Sequence, residues 1–248
     1  MNERHNQIGF NRYIKREWLD FIVSQMLAGQ SVAKIKSSVD DLLSSQLSVG
    51  SDAVRSSRGK TISMLLSIWV TVPKPLIQLR DDALVQMQLL PQADYLPFHW
   101  GMTMTAYPFF GVVAESAGRS LILQGNVSVT MLKTRMRELF GQRENVLRST
   151  RYALQCFSGW GLLRETKEKS GVYEIQPVKR ISDDDLASWL IESLLFSNSI
   201  NMASLKSLLQ SPRLFPFQII QFTPARKPSN RLDYFRQGLD EEMVMLKK

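Results

Sequence analysis

The chain has 248 residues, 44% of them hydrophobic and 22% charged, with a formal net charge of +8. That length can bury a real core, that composition excludes a disordered tract, and the positive excess favours polyanionic partners, with nucleic acid ahead of an anionic membrane surface. A single cysteine, Cys156, excludes an internal disulfide, and the opening MNERHNQIGF has no apolar signal-peptide core, so a cytoplasmic protein is expected.

Residues 11–28 read as a first helix, with Ile14, Trp18, Ile22 and Met26 one turn apart and Gly29 as its stop. Ser31 is placed to cap a second helix, whose Val32, Ile35, Val39 and Leu42 recur at steps of 3, 4 and 3. After the polar stretch SSQLSVGSD, a third helix is expected from Asp52, with Val54, Ile62, Leu65 and Trp69 inside and Pro73 and Pro75 beyond its end. This is helix-turn-helix order, and Arg55, Arg58 and Lys60 stand at the start of the third helix, where recognition residues sit. A plain three-helix bundle fits the same pattern. The phrase VRSSRGKT lacks the first glycine of a phosphate-binding loop, with Val54 in its place, so no nucleotide site is expected there.

Leu76–Leu90 is a further short helix. Tyr95–Ala114 then runs for 20 residues without an acidic or basic side chain, long enough to span a bilayer. Pro97, His99, Gly101, Thr103, Thr105 and Pro108 make it a poor spanning helix, so a buried central helix is expected, kinked or restarted at Pro108. The aromatic groups around His99-Trp100 and Tyr107–Phe110 then belong to the core rather than to a base-stacking platform.

The stretch from Asn126 to Gln176 reads as a winged helix. Ser128 is a candidate cap for a helix whose Val129, Leu132, Met136 and Leu139 share one face, and Gly141 stops it. A second helix runs from Glu144 to Trp160 with Leu147, Thr150, Leu154 and Phe157 as its inner stripe. Asn145, Arg148, Tyr152 and Gln155 form another stripe at the same spacing, flanked by Arg151. These residue types suit a major groove, because arginine bonds guanine O6 and N7 while asparagine and glutamine bond adenine N6 and N7. Leu162–Thr166 and Val172–Gln176 read as two short strands around a turn carrying Lys167 and Lys169, placed for phosphates. Arg143 and Lys133 complete the candidate phosphate contacts. Residues 133–180 hold 11 lysines and arginines against 5 acidic residues, +6 of the chain's +8.

Beyond this, Asp183–Asp185 are expected to cap a helix over LASWLIESLLFS, rather than to bind metal. A helix from Ser199 or Asn201 should carry Met202, Leu205, Leu208 and Leu209. SPRLFPFQIIQF suits a strand, and the tail a short charged helix around Leu232–Leu246. Neither His5 nor His99 stands at metal-ligand spacing from another ligand, and no nucleophile elbow is present. The pair Glu165 and Lys167 resembles half of a nuclease E-x-K motif without its upstream acid. No catalytic activity and no cofactor are expected.

Four stretches resemble the small accessory "A" protein of BREX bacteriophage-defence systems: LAGQSVAKIKSSV (Leu27–Val39), VRSSRGKTISMLL, STRYALQCFSGWGLL (Ser149–Leu163) and SPRL (Ser211–Leu214). Together they cover about a fifth of the chain. The resemblance implies a non-enzymatic, mostly helical DNA-binding protein working beside larger defence proteins. The expected fold is therefore mainly α: a helix-turn-helix-like domain over 1–92, a winged-helix domain with a small β-hairpin wing over 93–180, and a helical extension over 181–248. The expected partner is double-stranded DNA. An adaptor that docks a larger protein through the same fold is the alternative, and a membrane-attached factor using Tyr95–Ala114 is the less favoured one.

Overall fold

Cap chemistry and helical periodicity account for the first third of the chain in the computed structural model, which describes residues 8–47, 56–167, 169–223, 231–238 and 241–247. Helix α1 spans Arg16–Leu27, α2 Val32–Ser44 and α3 Ser57–Trp69. The Ser31 hydroxyl accepts the Lys34 N–H at the start of α2, and Ser56 accepts the Gly59 N–H at 3.0 Å at the start of α3. Two readings of periodicity need correction. Helix α1 begins at Arg16 rather than near Asn11, and Ile14 is buried in the extended segment before it. On α2, Ile35, Val39 and Leu43 are buried while Val32 is exposed and Leu42 half-buried, so the inner face is turned by about one residue.

The lead-in segment forms a strap. Ile14 donates its N–H to Cys156 Sγ at 3.3 Å, and its carbonyl accepts the Trp160 indole N–H at 2.8 Å. Tyr13 lies so close to Gly159 that a Cβ there would sit 2.2 Å from its hydroxyl oxygen.

The uncharged stretch is broken in two. Helix α4 spans Ile77–Met87, α5 Leu96–Ala106 and α6 Pro108–Gln124. Tyr107 leaves helical geometry (φ −127°, ψ 85°) and Pro108 opens α6, where its missing N–H costs no hydrogen bond. Every residue of α5 from Leu96 to Thr105 is buried. A helix apolar all round is a core helix, and α5 packs against α3, α6 and α9, the last spanning Asp184–Asn198. Among the described residues no single helix is long and apolar enough to cross a membrane; α3 and the segment Lys74–Met87 reach that length only together, across a 56° bend. The aromatic residues are core residues: the Trp100 ring lies 5.1 to 5.2 Å from Phe110, Phe157 and Phe215, and its indole N–H donates to the Arg213 carbonyl.

His99 is fully buried on α5 and joins three helices. Its Nε2 meets Asp20 Oδ1 at 2.8 Å, and its Nδ1 accepts the Trp69 indole N–H at 3.1 Å. Nδ1 is therefore an acceptor, and the ring is the neutral tautomer with its proton on Nε2. Burial pushes the imidazole pKa below its usual 6.5, against the opposing pull of the Asp20 carboxylate. The unfolded chain then binds more protons at mildly acidic pH, so stability is complete above about 6.5 and falls as pH drops through the folded-state value. Urea unfolding at pH 7.5 and 5.5 checks this. The midpoint should be lower at pH 5.5, and a glutamine at position 99 should reduce the difference.

The C-terminal third carries the main departures from the sequence reading. Asp183 caps α9 as expected, its Oδ1 accepting the Leu186 N–H at 2.7 Å. Where a helix was expected from Ser199 or Asn201, Met202–Ser204 is a strand, β5, and helix α10 is only Leu205–Leu209, capped by Ser204. Phe217–Ile219 is a strand, β6, as expected; it pairs in parallel with Lys179–Ile181, β4. The tail helix around Leu232–Leu246 is overturned: Leu232–Gln237 and Glu241–Leu246 are antiparallel strands, β7 and β8. The run Met243–Leu246 is continuously apolar, and it becomes the central strand between β5 and β7. Gly238 at the turn adopts φ 71°.

The fold is mainly α with small sheets, and one buried cluster runs from Phe10 to Val244, through residues of all three expected segments. Two arginines, Arg213 buried and Arg231 half-buried, stitch the C-terminal third onto the rest. Arg213 bonds Glu115 at 2.9 Å and Ser197, and Arg231 bonds Glu192 at 2.6 Å and Asp82 at 2.6 Å.

Candidate nucleic-acid interface

Six consecutive elements build the candidate site: α6, then strand β1 (Asn126–Ser128), α7 (Val129–Phe140), α8 (Glu144–Gly159), β2 (Leu163–Glu165) and β3 (Val172–Ile175). Strand β3 lies between β1 and β2, antiparallel to both, with Val127 opposite Tyr173 and Leu163 opposite Ile175. The expected hairpin is thus present, and β1 adds a third strand that sequence reasoning missed. Gly125 ends α6 in the left-handed conformation and sends the chain straight into β1.

Helix α7 buries Leu132 and Met136. Leu139 is exposed, a correction, and the neighbouring Phe140 packs instead on Phe109 at 5.0 Å between ring centroids. Ser128 precedes α7 with extended backbone, but its side chain makes no capping bond. The Val129 N–H donates to the Gly171 carbonyl at 2.9 Å, tying the start of α7 to the hairpin. Gly141 turns the chain with φ 84°, and Arg143 returns a guanidinium N–H to the Phe140 carbonyl.

Helix α8 buries Val146, Ser149, Thr150, Ala153, Leu154, Cys156 and Phe157. Leu147, expected inside, is half-buried, and Val146 takes the inner place. The opposite face holds what the spacing predicted: Asn145, Arg148, Arg151 and Gln155 are exposed, and Tyr152 is half-buried. The Arg151 guanidinium lies 5.6 Å from the Tyr152 ring centroid. Among the described residues neither Arg148 nor Arg151 forms an ion pair, and both are exposed. Lys133 is half-buried on α7, and Lys167 and Lys169 are exposed at the hairpin tip. Arg164, exposed on the edge strand β2 and opposite Glu174 of β3, adds a cation that sequence reasoning did not single out.

The N-terminal candidates are placed differently. Arg55 lies outside the described residues. Arg58 is engaged by Asp40 at 2.9 Å with most of its side chain covered. Lys60 is exposed, but α3 buries Thr61, Ile62, Met64, Leu65, Leu66, Ile68 and Trp69, which leaves it a narrow free face.

Reactive groups elsewhere are committed to structure. Burial pushes the Cys156 thiol up to about 12, so no thiolate forms near neutral pH. Glu165 accepts the Gly171 N–H at 2.7 Å and the Ser170 hydroxyl at 3.2 Å. Among the described residues no group of three or more His, Cys, Asp or Glu side chains could hold a metal ion. No protein-family model, no curated protein and no solved structure matches the chain.

Proposed function

We propose that this chain binds duplex DNA, without catalysis, through a winged helix formed by α6, β1, α7, α8 and the β2–β3 hairpin. Helix α8 is the recognition helix of this reading, the hairpin its wing. The observation that carries it is the outer face of α8, where Asn145, Arg148, Arg151 and Gln155 are exposed together beside a hairpin carrying Lys167 and Lys169. In this reading Arg148 and Asn145 reach base edges, Tyr152 and Arg151 flank them, and Arg143, Lys133, Lys167 and Lys169 meet phosphates. Lys60 and Arg58 contribute less, for the reasons of packing given above. A cytoplasmic place beside larger proteins of a bacterial phage-defence system is the wider form of the proposal, and it rests on the sequence resemblance.

The test is a titration of a random duplex and of the gene's own upstream region at two salt concentrations. A steep fall of affinity with salt is expected, because each phosphate contact releases counterions. Lys169→Ala should weaken both duplexes alike and reduce the log–log salt slope by about one unit. No binding at low salt overturns the reading.

A protein adaptor is the second reading. Leu123, 81% exposed at the end of α6, lines a cleft with the half-exposed Met131 of α7 and offers an apolar contact surface. It predicts salt-insensitive association with a protein and no duplex binding.

A further inference from the structure

Glu165 is an acidic side chain at the foot of a basic hairpin, where its charge alone opposes phosphate binding. Its geometry gives it another role. The carboxylate accepts the Gly171 N–H at 2.7 Å and the Ser170 hydroxyl at 3.2 Å, so it spans the turn from one strand to the other. An ionised acceptor on a backbone N–H makes a stronger bond than a neutral one. Gly171 holds φ 76°, a left-handed conformation that favours glycine, and its carbonyl accepts the Val129 N–H at 2.9 Å. The Thr166 hydroxyl adds a second tie, to the Lys169 carbonyl at 3.0 Å, and the Thr166 N–H donates to the Val172 carbonyl at 2.8 Å. A continuous set of bonds thus runs from Glu165 through Gly171 to the first residue of α7. The Gly171 backbone, two residues beyond Lys169, is thereby tied to the start of α7.

We propose that Glu165 is a positioning residue for the wing: it fixes the hairpin tip against the start of α7 so that Lys167 and Lys169 meet the phosphates of the duplex that α8 enters. The inference rests on the DNA-binding reading and deepens it. A tip already ordered loses less conformational freedom on binding, so two lysines on long flexible stems contribute more than they would on a loose loop. The contribution is independent of sequence, because phosphates carry no base identity.

The two accounts of Glu165 predict opposite signs. If it acted only through its charge, Glu165→Ala and Glu165→Gln would both tighten binding, and equally. As a positioning residue, Glu165→Ala should weaken binding about five- to tenfold at low salt and lower the salt slope by about one to two units, although the variant is more positive. Glu165→Gln should stay within about twofold of the parent, because its amide oxygen can accept the same N–H. Thr166→Val removes the second tie without changing charge and should lose about two- to fivefold, keeping the inference testable if Glu165→Ala fails to fold. In a Lys167→Ala, Lys169→Ala background the Glu165→Ala effect should vanish. The measurement is fluorescence anisotropy of the full chain on a labelled random 20-bp duplex, with thermal unfolding to show that each variant is folded. Tighter or unchanged binding by Glu165→Ala, in a parent that binds, overturns this inference and leaves the DNA reading standing. A parent that does not bind overturns both.

Discussion

Arg148→Ala is expected to weaken binding to the preferred duplex by about 1–3 kcal/mol while changing binding to random duplex far less. The expectation comes from its position. Arg148 stands on the outer face of α8, one turn from Asn145 and from Tyr152, and among the described residues it is in no ion pair. An arginine already paired must break that pair before it can meet a base. Arg58, held by Asp40 at 2.9 Å, is in that situation, and Arg148 is not. Anisotropy titrations on both duplexes decide the matter. Equal losses on the two, with a smaller salt slope, would assign Arg148 to phosphate. No loss on either would take the outer face of α8 out of the interface.

The second large effect concerns stability. Gly118→Ala, in the middle of α6, is expected to destabilise the fold by about 3 kcal/mol, although alanine in place of glycine ordinarily favours a helix by about 1 kcal/mol. The reversal comes from a close crossing. A Cβ at position 118 would stand 2.0 Å from the Pro212 carbonyl oxygen and 2.8 Å from its carbon, both backbone atoms. That 3-10 turn, Pro212–Leu214, has little room to retreat: the Arg213 carbonyl accepts the Trp100 indole N–H, and the Arg213 guanidinium holds Glu115 and Ser197. Urea unfolding measures the loss directly. A variant within about 0.5 kcal/mol of the parent, the range of neutral surface changes, would show that the crossing can relax.

Local chemistry in the sequence was enough where an element's reasons lie within its own turn or two. Ser31 and Asp183 cap the helices they were expected to cap, Pro108 starts one, and the two faces of α8 separate as the spacing of its polar residues indicated. What failed depends on distant partners. Met202 pairs with Met245 and Ser204 with Met243, so β5 has no local reason to be a strand, while β8 pairs both with it and with the neighbouring β7. Strand preference largely reports such packing against neighbours, which is why a charged, apolar-rich tail could be read as a helix. The small rotations of the inner stripes on α2 and α8 have the same origin, because each helix meets more than one neighbour. At the candidate site, the exposed cations of α8 were legible from spacing. The capture of Arg58 by Asp40 and the tying of Glu165 into the turn were not, since spacing says nothing of which side chains meet.

A repeated connection order was also hidden. The path from α6 through β1 and α7 to the β2–β3 hairpin is followed again from α9 through β5 and α10 to the β7–β8 hairpin, and in both sheets the last strand lies in the middle. In the second instance the place of α8 is taken by the turn Pro212–Leu214 and β6, which face the core rather than presenting a polar helix.

The strap from Tyr13 to Ile14 bears on how the chain acquires its shape. Its bonds to Cys156 and Trp160 join residues 142 and 146 positions apart. The entropy of closing so long a loop grows only with the logarithm of its length, so the cost to final stability is modest. The cost in time is larger, because contacts of high sequence separation slow folding. On a ribosome, the residues that fasten the end of α8 are made first and must wait for about 140 more before their partners exist. The strap can therefore close as soon as α8 has been made, before the C-terminal third of the chain exists.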